Sequence, residues 1–375
     1  HEPVLAGNEK KYLAECIDTG WVSSEGRFVK AFEESYARFL NVNHGVAVAN
    51  GTSALEVALY AIGVKPGDEV IIPAFTIISC ALACVRLGVI PVLVDIDPET
   101  WTMDVSLLEK KISSRTVAIM AVHIYGHPVD MDPIYELQER FSFKIVEDIA
   151  EAQGSRYFSR YKGGVWLNCG KLGDISATSF YANKIITTGE GGMVCSEVKE
   201  YAERARSYRN LCFGVKNRFE HVDLGYNFRM SNLQAAVGLA QLEAVDGFLS
   251  KKKKMAAWYQ ERIDKLPGIH FMKVKDWADS SYWMYCVTLA GDQDIDAEKV
   301  MYSLSEQGIG ARPFFCGLHK QPALKDWVPE NDEYPNTDDA YKFGFYLPSS
   351  VSLHESDIDR VVAALGKALM ESVDE

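Results

Sequence analysis

From about residue 45 the chain alternates between short apolar runs and longer stretches whose apolar positions recur at helical spacing. Residues 46–50 read as a strand and 52–63 as a helix. Residues 70–73 read as a second strand, followed by a helix through Leu87. Further strands fall at 91–95, 117–122 and 144–148, with helices at 104–112 and 131–140 between and after them. Two more strands, 175–181 and 192–196, complete the series. Strands this apolar, separated by helices, predict a largely parallel sheet covered on both faces. Residues 230–265 then predict one long helical region, interrupted near Gly247. Beyond 268 the texture changes. Strands near 269–274, 282–290 and 309–315 surround a helix at 296–307, and a last helix starts at about 355. Ser352-Leu-His-Glu355 has the spacing of a capping box for it. The pattern is α/β: a large unit over 26–245, and a smaller α+β domain from 1–25 and 246–375.

Ligands of such sheets collect beyond the carboxyl ends of the strands, so the polar residues there carry the candidate chemistry. Asn50-Gly51-Thr52-Ser53 follows the first strand and opens a helix. Glycine permits close approach, the hydroxyls donate, and a helix N-terminus favours an anion. Asp148 ends an otherwise apolar strand. It reads as a helix cap, or as a carboxylate held in a cleft for a protonated ring nitrogen. Lys184 lies between an apolar run and the glycine-rich turn Thr188-Gly-Glu-Gly-Gly192, with Tyr181, Ala182, Asn183, Ile185 and Ile186 around it. Such neighbours favour a neutral amine, which can form a Schiff base; the alternative is a snorkelling lysine at a strand end. Ser179 offers a hydroxyl to the same edge. A phosphate cradle, a carboxylate and a lone amine are the parts that pyridoxal phosphate needs.

Composition narrows the partners. With 375 residues, 47% of them hydrophobic, the chain can build a large core and more than one domain. A formal charge of −13 argues against a general nucleic-acid or anionic-membrane binder, while leaving room for a local basic pocket. The run of lysines at 251–254 reads as a solvated helix face. Eight cysteines form no CxxC pair, and Cys316-Gly-Leu-His319 lacks a second ligand pair, so free thiols are expected and no metal. No apolar run reaches the roughly 18–20 residues of a membrane span. The chain begins at His1 with no methionine and no visible secretory signal, and the expected location is the cytoplasm.

The chain resembles the sugar aminotransferases of the DegT/DnrJ/EryC1/StrS family. The likeness rests on Asn50-Gly-Thr-Ser-Ala-Leu55, Pro66-Gly-Asp-Glu-Val-Ile-Ile-Pro73, Pro91-Val-Leu-Val-Asp95, Val122-His-Ile-Tyr-Gly126, Glu147-Asp-Ile-Ala-Glu-Ala152, the lysine segment and Gly225-Tyr-Asn-Phe-Arg-Met230. Tyr282-Trp-Met-Tyr285 and Gly238-Leu-Ala-Gln-Leu242 carry a closer match within it. The resemblance implies the aspartate aminotransferase-like (type I) fold and pyridoxal 5'-phosphate. It makes Lys184 the Schiff-base lysine, Asp148 the partner of the pyridinium nitrogen, and Glu151 a neighbour of the ring hydroxyl. Gly51, Thr52, Ser53 and Ser179 would bind the phosphate. Asn227 would reach the partner subunit's cofactor, which implies a homodimer with shared active sites. His319 and Arg312 would meet substrate. Ile77 stands where the family has an aromatic residue stacked on the ring, so either an aliphatic face or Phe75 is expected there. The segment 157–173 is longer than the family's usual connection.

The implied reaction takes an amino group from L-glutamate, leaving 2-oxoglutarate. The implied acceptor is a nucleotide-linked 4-keto-6-deoxy sugar, GDP-4-keto-6-deoxymannose first, or else another UDP-, dTDP- or GDP-linked 3- or 4-keto sugar. Some relatives are sugar 3-dehydratases with histidine in place of the lysine, and Lys184 argues against that chemistry. A non-catalytic cofactor-binding regulator is the alternative of another class.

Overall fold

The computed structural model describes residues 2–290, 296–329 and 332–373. Two helices lead in, α1 (Glu9–Thr19) and α2 (Arg27–Leu40). The alternation read from the sequence follows. It runs β1 (His44–Val48), α3 (Gly51–Ile62), β2 (Glu69–Pro73), α4 (Ser79–Arg86), β3 (Ile90–Val94), a one-turn α5 (Leu108–Lys111), β4 (Thr116–Val122), α6 (Asp132–Phe141) and β5 (Lys144–Asp148). A hairpin, β6 (Arg156–Ser159) and β7 (Val165–Asn168), precedes β8 (Ile175–Ser179), β9 (Gly192–Ser196) and α7 (Lys199–Tyr208). Seven strands form one sheet in the order β1-β9-β8-β5-β4-β2-β3. Only β9 runs against its neighbours; the pairs from β8 to β3 are parallel. Strands β2, β8 and β9 are buried along their whole length, as a sheet covered on both faces requires.

The chain then runs through α8 (Asn232–Glu243) and α9 (Val245–Ile263). The break between them falls at Ala244, not at Gly247, which lies inside α9. A Cβ on Gly247 would meet nothing within 4 Å, so that glycine faces open space and its weak helix propensity of about 1 kcal/mol decides nothing. The buried side chains stay in the first core through Val245 and Phe248 and reach the second at Met255, so the change of core falls inside α9, past the break.

The second core gathers Met255, Tyr259 and Ile263 of α9 with a four-stranded antiparallel sheet. Its strands are β10 (Ile269–Phe271), β12 (Tyr285–Leu289), β13 (Arg312–Pro313) and β14 (Gly344–Leu347), ordered β10-β12-β14-β13; β11 (Ala278–Asp279) pairs with β6 instead. Helices α10 (Ala297–Glu306) and α12 (Glu355–Val373) cover this sheet, and α11 (Pro335–Phe343) leads into β14. This second core is α+β in make-up, whereas α1 packs on the first core through Cys16 and Tyr12. Two local expectations change. Ser352 does not cap α12: its hydroxyl bonds Ser350, while Asp357 accepts from the amide of His354. Lys252 does not share the solvated face of its lysine run; it is wholly buried. Segment 157–173 forms the hairpin between β11 and the solvent, where Trp166 is half-exposed.

Candidate active site

A cleft of about 310 Å³ opens beyond the carboxyl ends of β4, β5 and β8. Gly51, Thr52, Ile77, Asp148, Glu151, Ser179 and Lys184 all line it. On one side α3 begins. Asn50 is extended at φ −166°, and its Oδ1 accepts from the amide of Ser53 at 2.8 Å, which fixes the first turn. Thr52 and Ser79 share a hydroxyl hydrogen bond of 2.8 Å. Gly51 packs against Ser179 so closely that a Cβ would stand 2.6 Å from the serine Cβ. Helix amides, hydroxyls and a glycine gap make a cradle for an anion. Ser53 is buried and does not line the cleft.

Asp148 closes β5 and is 4% exposed. Its Oδ1 accepts from the Ala150 amide at 2.9 Å, and the Cys80 thiol donates to Oδ2 at 3.4 Å. Burial pushes its pKa up, while these bonds and the Lys184 charge pull it down. A carboxylate beside a ring nitrogen favours the nitrogen's protonated form. Glu151 is raised by burial as well and opposed first by Lys184. Its Oε2 accepts from the Tyr125 amide at 2.9 Å.

Lys184 sits on a turn after β8, its amide bonded to the Tyr181 carbonyl at 2.9 Å. Gln153 staples that turn: it bonds the Ser179 carbonyl at 2.8 Å and accepts from the Ile186 amide at 3.0 Å. The apolar surroundings read from the sequence are only half the picture. Lys184 Nζ stands 3.4 Å from Glu151 Oε1 and 3.8 Å from the centre of the Trp283 ring. Neighbours in space, not in sequence, give this amine a carboxylate and an aromatic face.

Besides Ser53, the structure leaves three of the sequence candidates outside the cleft. Asn227 is exposed, with its Oδ1 accepting from Arg229 at 2.9 Å. Arg312 is exposed on β13, in register with Tyr346, which does line the cleft. His319 bonds Asp338 at 3.0 Å and rests on the Tyr334 ring. Phe75 does not stand in for an aromatic residue at Ile77: it is buried among Tyr125, Phe314 and Phe315. None of residues 157–173 lines the cleft.

His123, Trp283, Phe315, Tyr346, Ser79 and Glu190 line the cleft and were not singled out in the sequence. His123 had a signal: it ends the apolar strand at 117–122, as Asp148 ends its own. Its Nδ1 accepts from the Val129 amide at 2.9 Å, so Nε2 carries the proton to Glu147 Oε2 at 3.1 Å. Glu147 is also held by the amides of Gly170, Leu172 and Gly173, a set of donors that satisfies a fully buried carboxylate.

The donor set suits pyridoxal phosphate: an amine, a buried acid, and an anion cradle with no room for a Cβ at residue 51. Asn183 Oδ1 adds a buried acceptor at the cleft that lacks a hydrogen-bond partner among the described residues. Fold and site together define a pyridoxal phosphate-dependent aminotransferase of the type I fold. The chain belongs to the DegT/DnrJ/EryC1/StrS aminotransferase family, whose profile matches residues 3–366. It is 40% identical over 370 residues to a GDP-perosamine synthase of Caulobacter vibrioides, covering 98% of this chain and 97% of that one. It is 39% identical to a GDP-perosamine synthase of Escherichia coli O157:H7, covering 96% and 94%. Among solved structures it superposes on S. venezuelae DesV with a TM-score of 0.88, at 31% identity and covering 96% and 94%. It also superposes on the aminotransferase TlmJ of Streptoalloteichus hindustanus with a TM-score of 0.90, at 28% identity and covering 99% and 98%.

Proposed function

We propose that this enzyme moves the amino group of L-glutamate to GDP-4-keto-6-deoxymannose, giving 2-oxoglutarate and GDP-perosamine for a surface polysaccharide. The observation that carries the amino-transfer reading is the Lys184 amine, set beside Glu151 above a cleft with Asp148 in its wall. What favours this sugar is the near full-length likeness to relatives named GDP-perosamine synthase. When bound, pyridoxal phosphate supplies an electron sink and the carrier of the amino group. Asp148 keeps the ring nitrogen protonated. Thr52, Ser179 and the α3 amides hold the phosphate. The amine of Lys184, when free of the cofactor, would take the proton from the α-carbon of glutamate as general base and pass it, as general acid, to the cofactor carbon that bears the amino nitrogen. For the sugar it does the reverse at the carbon that was the ketone. Ile77, Val122, Phe315 and Trp283 give the cleft an apolar lining that excludes water.

We read the active form as a homodimer with shared sites. Support comes from Val215, Phe219, Val222 and Leu224, large apolar side chains that stand almost fully exposed beside Asn227. His319 and Arg312 are read as substrate contacts from the smaller unit. Free thiols, seven of them buried, suit a reducing cytoplasm, and cell fractionation checks that location.

One assay tests the function: 2-oxoglutarate release with glutamate and a panel of GDP-, UDP- and dTDP-linked keto sugars. The expected result is fastest turnover with GDP-4-keto-6-deoxymannose and none in Lys184→Ala. A faster UDP- or dTDP-linked acceptor refutes the sugar. Binding without turnover of any acceptor refutes the enzyme reading in favour of a regulator. Near-normal turnover in Lys184→Ala refutes the role of the lysine.

A further inference from the structure

Trp283 precedes β12 by two residues and is 3% exposed. The residue is tied once through its ring and once through its backbone. The indole Nε1 donates to the carbonyl of Asn183, the residue before Lys184, at 2.7 Å. The backbone carbonyl of Trp283 accepts from the Lys252 ammonium at 2.7 Å. Lys252 is wholly buried and also donates to the carbonyl of Ser349. Neither acceptor is a carboxylate, and burial brings the Lys252 pKa down to about 7. So costly a group in the core, spent on two carbonyls, fixes where the strand entry and its indole lie. The fixed ring then presents its negative face to Lys184 Nζ at 3.8 Å, with Glu151 Oε1 also beside that amine at 3.4 Å.

We propose that Trp283 is a positioning residue for Lys184: whenever the Lys184 amine is free of the cofactor, the indole face and Glu151 hold it in the cleft, ready for the proton transfer. Lys252 and the Asn183 carbonyl act through Trp283, as the supports that keep the ring in place. The inference rests on the reading of Lys184 as the cofactor-bearing amine. A tryptophan that merely filled the core would need its bulk alone, and neither its ring charge nor its orientation would reach the lysine.

The test uses the full chain loaded with pyridoxamine 5'-phosphate, in which the Lys184 amine is free. Acylation of Lys184 by acetic anhydride is timed by peptide mass spectrometry for wild type, Trp283→Phe and Trp283→Leu at mildly alkaline pH. Losing the ring in Trp283→Leu should speed acylation about threefold or more, and Trp283→Phe, which keeps a π face, should gain less than about half of that increase. Any other result overturns the proposal. A Phe variant as fast as Leu would assign the effect to the indole hydrogen bond. Should the Leu variant fail to fold, mono- and difluorinated tryptophan in place of the protein's tryptophans weakens the ring face with the shape kept. Acylation of Lys184 must then quicken with each fluorine, and a flat series overturns the proposal. Covalent binding of pyridoxal phosphate by Lys184→Ala would instead sink the reading of the site, so the two failures stay apart.

Discussion

Asp148 is legible as a residue because it breaks its own pattern: an acid at the end of a strand that is otherwise apolar. Its burial could be guessed from that position, but its two supports could not. The Ala150 amide is local; the Cys80 thiol comes from α4, far away in sequence. Burial raises its pKa, and a cation at the ring nitrogen would add to the pull of Lys184 in the other direction. Asp148→Asn keeps the shape and removes the charge. Turnover should fall about a hundredfold or more, in line with the loss of one preorganised electrostatic partner. Steady-state rates at saturating substrate check this, and a drop of less than about tenfold would show that the ring partner is misassigned. Lys184 was legible as an odd lysine, whereas its contacts with Glu151 and Trp283 are fixed only when three separate segments meet.

At the scale of elements, α3 carries a signal at both ends, an asparagine cap before it and Gly63 at φ 89° after it, and Gly63 ends the helix one residue short of the expected 63. Gly51 has a tighter constraint than its turn suggests. A Cβ there meets Ser179 Cβ at 2.6 Å, so Gly51→Ala must push α3 away from β8. The substitution should cost about 1–3 kcal/mol of stability and weaken pyridoxal phosphate binding about tenfold, because the cradle opens. Thermal unfolding and equilibrium dialysis measure the two effects, and unchanged affinity would remove the α3 N-terminus from the phosphate site. Helix α9 shows a signal that charge conceals. Phe248, Lys252, Met255, Ala256, Tyr259 and Ile263 share its buried face, and the lysine falls on that stripe at helical spacing. Its neighbours in the run of four are exposed, so the run as a whole reads as solvated. The cap of α12 was misplaced for a related reason. Several serines and acids stand near that end, and only the folded backbone selects Asp357.

For the whole molecule, the proposed sharing of sites in a homodimer predicts complementation. Lys184→Ala and Asn227→Ala should each be inactive or nearly so. Mixed, unfolded together and refolded, they should recover about a quarter of wild-type activity, since random pairing leaves one intact site in half of the dimers. No recovery, with mixed dimers confirmed by native mass spectrometry, would place Asn227 in its own subunit's site or outside the chemistry. The exposed apolar side chains between Val215 and Leu224 are the surface that such a pairing would cover.

The sequence by itself did not mark α1, α2, α7, α11, the β6–β7 hairpin or β14, but it determined the alternation of β1 to β5 with helices and marked candidate polar positions at strand ends. Those follow from local periodicity and from polar residues that interrupt it. It also marked the cofactor, through an amine, an acid and a glycine turn in one series. The tertiary structure decided which strand lies beside which, so that β9 enters between β1 and β8 and runs against both. It decided too that Trp283, Lys252 and Gln153 act on a lysine they do not adjoin in the chain. Contacts between distant segments depend on how whole elements pack, and no local pattern encodes them.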